Sequence, residues 1–239
     1  MPFDGITVAA LVAELKSELV GGRITKVAQP EPDELILTVK AKETRRLLVS
    51  ANASLPLLYL TENNKPGPAT APGFCMLLRK HLNNGRLIDI SQPGLERIVH
   101  FHIGHRDEMG DYCEKKLIVE LMGKHSNIIF VNSEDMIVDS IKHISGAVSS
   151  VREVLPGRPY FVAGAAAKAD PLRTTEAEFA ALLTAKAQPL HEAIYTHYMG
   201  ISPVMAQELC YRAGLDGDVG ASDAAEIAKL YAVFAACME

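Results

Sequence analysis

The chain lacks any long apolar segment. None of the apolar runs in its 239 residues reaches the roughly 18 residues that a membrane-spanning helix needs. The N-terminus has neither the basic stretch nor the apolar stretch of a secretory signal peptide. There are four cysteines and no Cys-x-x-Cys pair, which argues against a zinc site. These absences predict a cytoplasmic protein with no membrane span and no metal, whose cysteines are buried free thiols.

An excess of positive charge is also missing. The formal net charge is -5, which disfavours a protein that binds polyanions over its whole surface. Residues 1–160 hold 19 basic and 19 acidic residues, whereas residues 161–239 hold 5 and 10. A surface for nucleic acid must therefore be local, and we expect it in the first part of the chain.

Hydrophobic residues make up 48% of the chain, which predicts a packed globular fold. Helical spacing of apolar residues predicts a helix at 6–20, capped by Thr7 or Asp4. Short β-type runs follow without intervening helices, as in an antiparallel sheet. Strands are predicted at 24–29, 34–40, 45–50, 57–60, 86–91, 97–103, 115–122, 127–131 and 136–144, with a helix at 74–82.

After residue 160 the composition becomes alanine-rich and helical. The pattern predicts helical structure at 163–187 and a helix, tight turn and helix at 189–213. Ser202 is the expected N-cap of the second of these helices, because Pro203 follows at the first helical position. A last helix is predicted from about residue 222. It has no stop signal, so we expect the natural protein to continue beyond it.

Six short motifs occur in a characteristic order along the chain. They are MPFDG (1–5), FCMLLRKHL (74–82), QPGLER (92–97), RDEMGD (106–111), MGKHSNI (122–128) and DSIKH (139–143). In this order they resemble the NFACT family, which includes the bacterial RqcH proteins, also catalogued as fibronectin-binding protein A, and the eukaryotic NEMF group. Each motif is weak alone, and six in register are specific.

The resemblance implies an α+β fold. Residues 1–160 would form an antiparallel β-sandwich with flanking helices, similar to the N-terminal domain of formamidopyrimidine-DNA glycosylases. Residues 161–239 would form a helical domain with a helix-two-turn-helix module at 189–213. Full-length family members also carry a coiled coil and a further RNA-binding domain. Both are absent here, so the resemblance implies an N-terminal fragment.

The same resemblance implies a ribosome quality-control factor without enzymatic activity or cofactor. Family members bind the large ribosomal subunit, both its rRNA and ribosomal protein, after a stalled ribosome has split. They hold tRNA and support untemplated tailing of the nascent chain, with alanine in bacteria. The expected partners are therefore tRNA, the large subunit and nascent peptidyl-tRNA.

Glu96 and Arg97 occupy a position that is usually an Asp-Arg pair linked to tRNA engagement in the family. Glu96 keeps the charge of that pair but is one methylene longer. The planar fork of Arg97 suits a phosphate or a base edge, because it donates two parallel hydrogen bonds. The alternative is a surface salt bridge at the start of a strand.

The residues Gly123, Lys124, His125, Ser126 and Asn127 lie between two apolar strands. The glycine permits a sharp turn, and the four polar residues offer donors for phosphate and ribose. The alternative is a structural turn in which the histidine and the asparagine bond to the backbone.

Arg79 and Lys80 follow each other on the helix predicted at 74–82, and one or both are candidate phosphate contacts. The alternative is a solvated helix face. The 142–143 pair and Arg152 have the same status. The turn at 200–202 could offer amides to a phosphate at the positive end of the following helix.

Three other hypotheses come from different chemical classes. His100 and His102 are spaced to share one strand face, either as metal ligands or, as we expect, as solvent-facing residues. Pro2, as an N-terminal amine, could attack an abasic sugar as in glycosylase relatives, but Phe3 stands where those enzymes have an acid. Binding to fibronectin is the third, and the sequence offers no mechanism for it.

Overall fold

The computed structural model describes residues 3–106, 109–149, 152–162, 168–221 and 223–238. The chain folds into two units. The first consists of Met1–Phe3, Ala9–Gln92 and Arg97–Ala163, and the second consists of Asp4–Val8, Pro93–Glu96 and Gly164–Glu239.

The described residues form six α-helices and nine β-strands. The helices are α1 (Gly5–Leu19), α2 (Gly73–Leu82), α3 (Glu176–Thr184), α4 (Leu190–His197), α5 (Pro203–Arg212) and α6 (Ala224–Met238). The strands are β1 (Arg23–Glu31), β2 (Glu34–Lys40), β3 (Thr44–Ser50), β4 (Leu57–Thr61), β5 (Arg86–Ser91), β6 (Ile98–Arg106), β7 (Tyr112–Glu120), β8 (Asn127–Val131) and β9 (Ile137–Ser140).

All nine strands belong to one hydrogen-bonded sheet in the order β4-β3-β2-β1-β5-β6-β7-β8-β9. Every neighbouring pair is antiparallel. The link between β1 and β5 is a single pair, Arg23 opposite Arg86. The prediction of an antiparallel α+β fold is confirmed. The finer predictions, a two-layered sandwich and a glycosylase-like arrangement, stay predictions.

The central strands β6, β7 and β8 carry the apolar core of the first unit. Ile118 of β7 is paired directly with Ile129 of β8, Ile98 of β6 belongs to the same apolar cluster, and all three are fully buried. On the first helix, Leu15 and Leu19 are fully buried as well, which agrees with the helical spacing read from the sequence. The side chains that bury this sheet thus come from the same apolar runs that predicted it.

Two predicted strands, 97–103 and 115–122, have different ends in the structure. The strand predicted to reach Met122 ends at Glu120, because the N–H of Met122 is taken by Oγ of Ser126 at 2.8 Å. The chain then turns at Gly123, whose φ is +57°. The strand predicted for residues 97–103 begins at Ile98 and continues to Arg106.

The second unit is built around a cluster of aromatic rings. The ring centroid of Phe179 lies 5.8 Å from that of Tyr198 and 4.8 Å from that of Phe234, and all three residues are buried. Burial raises the pKa of Tyr198 to about 12. Aromatic contacts of this kind add stability beyond the area they bury.

The helix predicted across residues 163–187 is largely wrong. Residues 163–167 lie outside the described residues, and the helix begins only at Glu176. Thr175 forms a capping box with Glu178, and these reciprocal hydrogen bonds fix the start of α3. Ser202 caps α5 as predicted, accepting from the N–H of Met205 at 3.1 Å.

Candidate nucleic-acid interface

Arg97 and the turn at 123–127 lie at the same end of the sheet in the first unit. Ile98, the first residue of β6, is paired with Glu120, the last residue of β7. Beyond that pair, the N–H of Leu121 donates to the carbonyl oxygen of Arg97 at 2.8 Å. Arg97 therefore lies beside the segment that leaves β7 and enters the turn.

The turn itself is a single turn of 3₁₀ helix, Gly123–His125. Its backbone is closed by two hydrogen bonds, from His125 N–H to the Met122 carbonyl at 3.1 Å and from Ser126 N–H to the Gly123 carbonyl at 2.9 Å. Gly123 adopts a positive φ of +57°, which only glycine adopts without cost. The two residues that follow it, Lys124 and His125, are exposed.

Ser126 and Asn127 have a different position from their two exposed neighbours. Each is only 1% exposed. Asn127 donates from Nδ2 to the carbonyl of Lys142 at 2.9 Å, and its Oδ1 accepts from the N–H of Lys142 at 3.1 Å and of Ile128 at 2.9 Å. Both side chains thus satisfy backbone groups within the protein, as buried polar groups must.

Lys142 is part of the support of the turn. Its Nζ donates to the carbonyl of Ala51 and, at 3.1 Å, to the carbonyl of Ser126. The sequence predicts that Lys142 is an exposed basic residue like Arg79. That interpretation is wrong, because the ammonium group is used to hold the β3–β4 loop against the residues that precede β8.

Arg97 itself is half-buried. Among the residues that the structure describes, its side chain has no ion-pair or hydrogen-bond partner, so the salt-bridge alternative finds no support there. Glu96 belongs to the second unit, in a turn where its N–H donates to the carbonyl of Pro93 at 3.0 Å and Gly94 has a φ of +55°.

A buried acid lies next to Arg97 in the sheet. Glu120 is 1% exposed, and its carboxylate accepts from Arg152 and, at 3.0 Å, from the hydroxyl of Tyr160. Burial lowers the pKa of Arg152, but the hydrogen bond and charge of Glu120 outweigh it and raise the pKa overall. Burial and the same carboxylate raise the pKa of Tyr160. Arg152 is therefore an internal partner, not the exposed RNA contact considered from the sequence.

The sequence contains one signal for this cluster. Glu120 ends the apolar segment Leu117–Val119, and a carboxylate in such a run is rarely fully buried unless it is paired. Such a residue predicts a distant basic partner. It does not predict which one, because Arg152 lies 32 positions later in the chain.

His100 and His102 were predicted to face solvent, and that prediction is wrong. Nδ1 of His102 donates to the carboxylate of Glu114 at 3.1 Å, and its Nε2 forms a hydrogen bond with the hydroxyl of Ser91 at 2.9 Å. The ring of His100 packs edge-on against Tyr160, with centroids 6.2 Å apart, and its Nε2 is buried. Burial, followed by the charge of Lys116, lowers the pKa of His100 to about 4. The segment that carries Tyr160 covers this face, so both rings have structural surroundings.

Arg79 and Lys80 are exposed on α2. Arg79 is fixed by its Nε, which donates to the carbonyl of Val27 in β1 at 2.9 Å. The next residue, His81, lies 2.8 Å from Nζ of Lys115.

Lys115 is five positions from Glu120 along β7, which corresponds to about 17 Å. The structure therefore does not bring Arg79 and Lys80 together with Arg97. The basic candidate residues therefore form two separate groups in the first unit. One contains Arg97 and the 123–127 turn, and the other contains Arg79 and Lys80.

The start of α5 is a poor site for a phosphate. Ser202 caps the helix, and its hydroxyl also donates to Oδ2 of Asp4 at 2.9 Å. The other carboxylate oxygen of Asp4 accepts from the N–H of Thr7 at 2.8 Å and caps α1. A carboxylate already lies at this helix start, so the hypothesis of an anion bound by the 200–202 turn is wrong.

Cys75 and Cys210 are buried, and Cys113 and Cys237 are only half-buried, so the prediction of four buried thiols is half right. Burial raises the pKa of Cys75 and, to about 11, that of Cys210. Within the described ranges, no group of three or more acidic, histidine or cysteine side chains is arranged to hold a metal. None of the helices described is long and apolar enough to cross a membrane. Pro2 lies outside the described residues.

The chain matches the model of a known protein family. A model described as NFACT N-terminal and middle domains matches residues 4–239. The chain belongs to this family. The resemblance drawn from the six short motifs is thereby confirmed, and it extends beyond them into the helical second unit.

Named relatives of this NFACT chain come from bacteria, from an archaeon, Methanocaldococcus jannaschii, and from eukaryotes. "Rqc2 homolog RqcH" of Bacillus subtilis is 41% identical over 221 residues, which are 92% of this chain and 39% of that protein. "Ribosome quality control complex subunit NEMF" of Homo sapiens is 24% identical over 217 residues, 91% of this chain and 19% of that protein. The chain thus spans well under half the length of these relatives.

Solved structures share the fold. The N-terminal part of the fibronectin/fibrinogen-binding protein from Streptococcus suis matches with a TM-score of 0.84 and 31% identity, over 97% of this chain and 84% of that one. The fibrinogen binding protein from Staphylococcus aureus matches with a TM-score of 0.82 and 27% identity, over 100% and 82%. This chain is therefore similar in sequence to proteins named for ribosome quality control and similar in fold to proteins named for binding fibronectin or fibrinogen.

Proposed function

We propose that this chain is the RNA-binding N-terminal part of a cytoplasmic ribosome quality-control factor. Family membership and the names of the RqcH and NEMF relatives support this proposal. The factor binds the large ribosomal subunit and tRNA after a stalled ribosome has split. It supports C-terminal tailing of the nascent chain, with alanine, while peptidyl-tRNA is still bound.

The exposed turn beside Arg97 is the observation that carries the RNA part of the proposal. The guanidinium of Arg97 suits a bidentate contact with a phosphate or a guanine edge. Lys124 adds a point charge and His125 adds a ring that can stack or donate to ribose. Because the buried hydrogen bonds of Ser126 and Asn127 hold the backbone, little conformational entropy is lost when RNA binds.

The local charge at this edge is favourable although the net charge of the chain is not. Glu120 is the nearest buried acid, and Arg152 already neutralises it. Arg97, Lys124 and His125 are therefore not offset by an unpaired carboxylate beneath them. A small basic surface of this kind binds RNA weakly by itself. In a larger protein it adds to the affinity, because other bound domains raise its effective concentration near the RNA.

The proposed roles differ among the candidate residues. Arg97, Lys124 and His125 contact RNA, whereas Gly123, Ser126 and Asn127 position them. Glu96 is a tRNA contact on the strength of the family resemblance. Arg79 and Lys80 contact RNA at a second place, on α2.

The fold is proposed to be a glycosylase-like β-sandwich domain in residues 1–160 and a helical domain in residues 161–239. Residues 189–213 form the helix-two-turn-helix module in this proposal. Antiparallel pairing and the α4–α5 sequence of helices support it.

No catalytic activity is proposed. Asp4, the acid closest to Pro2 in the sequence, caps α1 and accepts from Ser202, so its carboxylate is already used in hydrogen bonds within the protein. Borohydride trapping on abasic DNA tests this directly. A covalent adduct that disappears in a Pro2→Gly variant would show lyase activity.

Arg97→Ala tests the proposal. In the protein expressed from its own gene, the variant should reduce the tRNA that co-purifies with large-subunit complexes by about ten-fold, since a bidentate contact is worth about 1–3 kcal/mol. Stability should be unchanged, because the side chain has no partner in the described residues. Lys42→Ala, an exposed lysine in the β2–β3 turn, is the matched control. Unchanged tRNA and unchanged tailing in Arg97→Ala would remove this role.

Binding to fibronectin or fibrinogen is the second candidate function. The names of the similar streptococcal and staphylococcal proteins are the observation that favours it. In that case the purified chain should bind immobilised fibronectin, and the Arg97→Ala variant should bind as well as the wild type. No binding above an unrelated acidic control protein would exclude it.

A further inference from the structure

A group of basic residues surrounds a cavity between β1, α2 and the loop that follows β4. The cavity has a volume of about 340 Å³, which lies at the lower end of the range for small-molecule sites. Lys26, Gln29, Lys65 and Arg79 line it together with proline and alanine side chains. The charged groups in the lining are all cationic.

The shape of β1 explains why these side chains meet. The pairing of β1 with β2 shifts register between Ala28 and Glu31, around Pro30, which cannot donate to the ladder. This irregularity breaks the usual alternation of a strand. Lys26, Ala28 and Gln29 therefore all reach the same cavity, although a regular strand would point neighbours to opposite faces.

Gln29 is the most informative residue in the lining. It is 5% exposed, and its Nε2 donates to the carbonyl of Pro32 at 3.1 Å. Its Oε1 is buried and has no hydrogen-bond partner among the described residues. A buried acceptor without a donor is unusual, and the bond from Nε2 fixes the orientation of the amide. Oε1 of Gln29 is therefore an acceptor to which a ligand could donate a hydrogen bond.

The cations around the cavity are held in place to different degrees. Arg79 is anchored through Nε to the carbonyl of Val27. Lys65 is paired with Glu31 at 3.2 Å and Glu34 at 3.1 Å, so its charge is already balanced. Lys26 is exposed and has no ion-pair partner in the part of the chain that the structure describes. Lys26 and Arg79 thus supply the charge that a ligand anion would meet.

From these contacts we infer that the cavity binds a ribonucleotide, with its phosphate at Lys26 and Arg79 and a hydroxyl or amino group donating to Gln29. Inorganic phosphate would leave most of the cavity volume empty. Pro66 and Pro68 give an apolar wall for the sugar or base. The ribonucleotide is either a unit of an RNA strand or a free nucleotide. The RNA form rests on the proposed RNA-binding function, and the free form does not.

The test follows the side-chain amide signal of Gln29 by NMR in the whole 239-residue chain. The probes are inorganic phosphate, adenosine monophosphate, cytidine monophosphate and an unpaired eight-nucleotide RNA. A nucleotide or the RNA should shift the Gln29 signal, and phosphate at equal concentration should not. Lys26→Ala should weaken binding roughly five-fold at low salt and lower the salt slope by about 1. Lys42→Ala should stay within two-fold.

The outcomes separate this inference from the proposed function. RNA binding that leaves the Gln29 signal and the Lys26→Ala affinity unchanged overturns the cavity and leaves the Arg97 edge intact. A response to free nucleotide without any RNA binding supports the cavity and contradicts the proposed function. An equal response to phosphate overturns the nucleotide assignment. No response to any probe at millimolar concentration overturns the inference altogether. Arg79→Lys, which keeps the charge and loses the fork, should reduce affinity less than Lys26→Ala combined with Arg79→Ala.

Discussion

The four polar residues of the turn at 124–127 look alike in the sequence and differ in the structure. Lys124 and His125 point to solvent, while Ser126 and Asn127 are only 1% exposed. The difference follows from hydrogen bonding, because Asn127 satisfies two backbone groups of Lys142. A residue type predicts that a group can bind RNA or backbone, and only the fold decides which one is within reach.

Asn127→Ala should therefore cost stability rather than RNA contacts directly. Removing the amide leaves the N–H and the carbonyl of Lys142 unpaired, which should cost about 2–3 kcal/mol. Urea denaturation of the purified chain measures this as a lower midpoint. His125→Ala is the neighbouring control and should change the free energy of unfolding by less than about 0.5 kcal/mol. A loss of the same size in both variants would contradict the division of roles within the turn.

At the scale of elements, Gly200 joins α4 to α5 in a way that other residues cannot. Its φ is +72°, and a Cβ on Gly200 would overlap the carbonyl oxygen of Leu95. Its own carbonyl accepts from the N–H of Gly5 at 2.6 Å. The short segments Asp4–Val8 and Pro93–Glu96 are thus held by the second unit through backbone contacts that need a glycine.

Gly200→Ala should destabilise the second unit by at least about 3 kcal/mol, since the left-handed conformation and the overlap both add cost. Gly214 is the matched control. It also has a positive φ, +68°, but a Cβ there would meet only the flexible end of Lys229 at 3.3 Å. Gly214→Ala should cost about 1 kcal/mol. Thermal unfolding followed by circular dichroism compares the two, and equal costs would show that the contact with Leu95 is unimportant.

Most elements were predictable because their signals are local. The apolar runs of β2, β5 and β8 and the Ser202-Pro203 start of α5 need no tertiary information. The helix predicted across 163–187 was wrong because alanine content favours a helix but does not say where it begins. Thr175 and Glu178 determine that start through reciprocal hydrogen bonds.

The candidate site was only partly predictable from sequence. Arg97 and Lys124 came from family motifs, and the structure adds that they lie at one end of the sheet. Lys142 and Arg152 could not be distinguished from solvent-exposed basic residues, because their partners, Ala51 and Glu120, are distant in the chain. The cavity at Gln29 depends on a register shift in β1, which no local sequence pattern predicts.

At the scale of the whole molecule, the chain has a net negative charge, and the basic residues considered as RNA contacts form two separate groups in the first unit. The acidic excess lies in residues 161–239. In the proposed function, binding to the ribosome depends on orientation as well as charge, since a uniform electrostatic attraction is absent. The strength of the complex should fall with salt according to the few phosphates contacted, not steeply as for a highly basic protein.

Sedimentation of the tagged protein, expressed from its own gene, with ribosomal subunits tests the central claim most directly. We predict that it migrates with the large subunit and not with the small one. The signal should rise when translation is stalled and should fall in an Arg97→Ala, Lys124→Ala double variant while Lys42→Ala stays at the wild-type level. A protein that remains at the top of the gradient under stalling, at low salt and with normal abundance, would contradict the account.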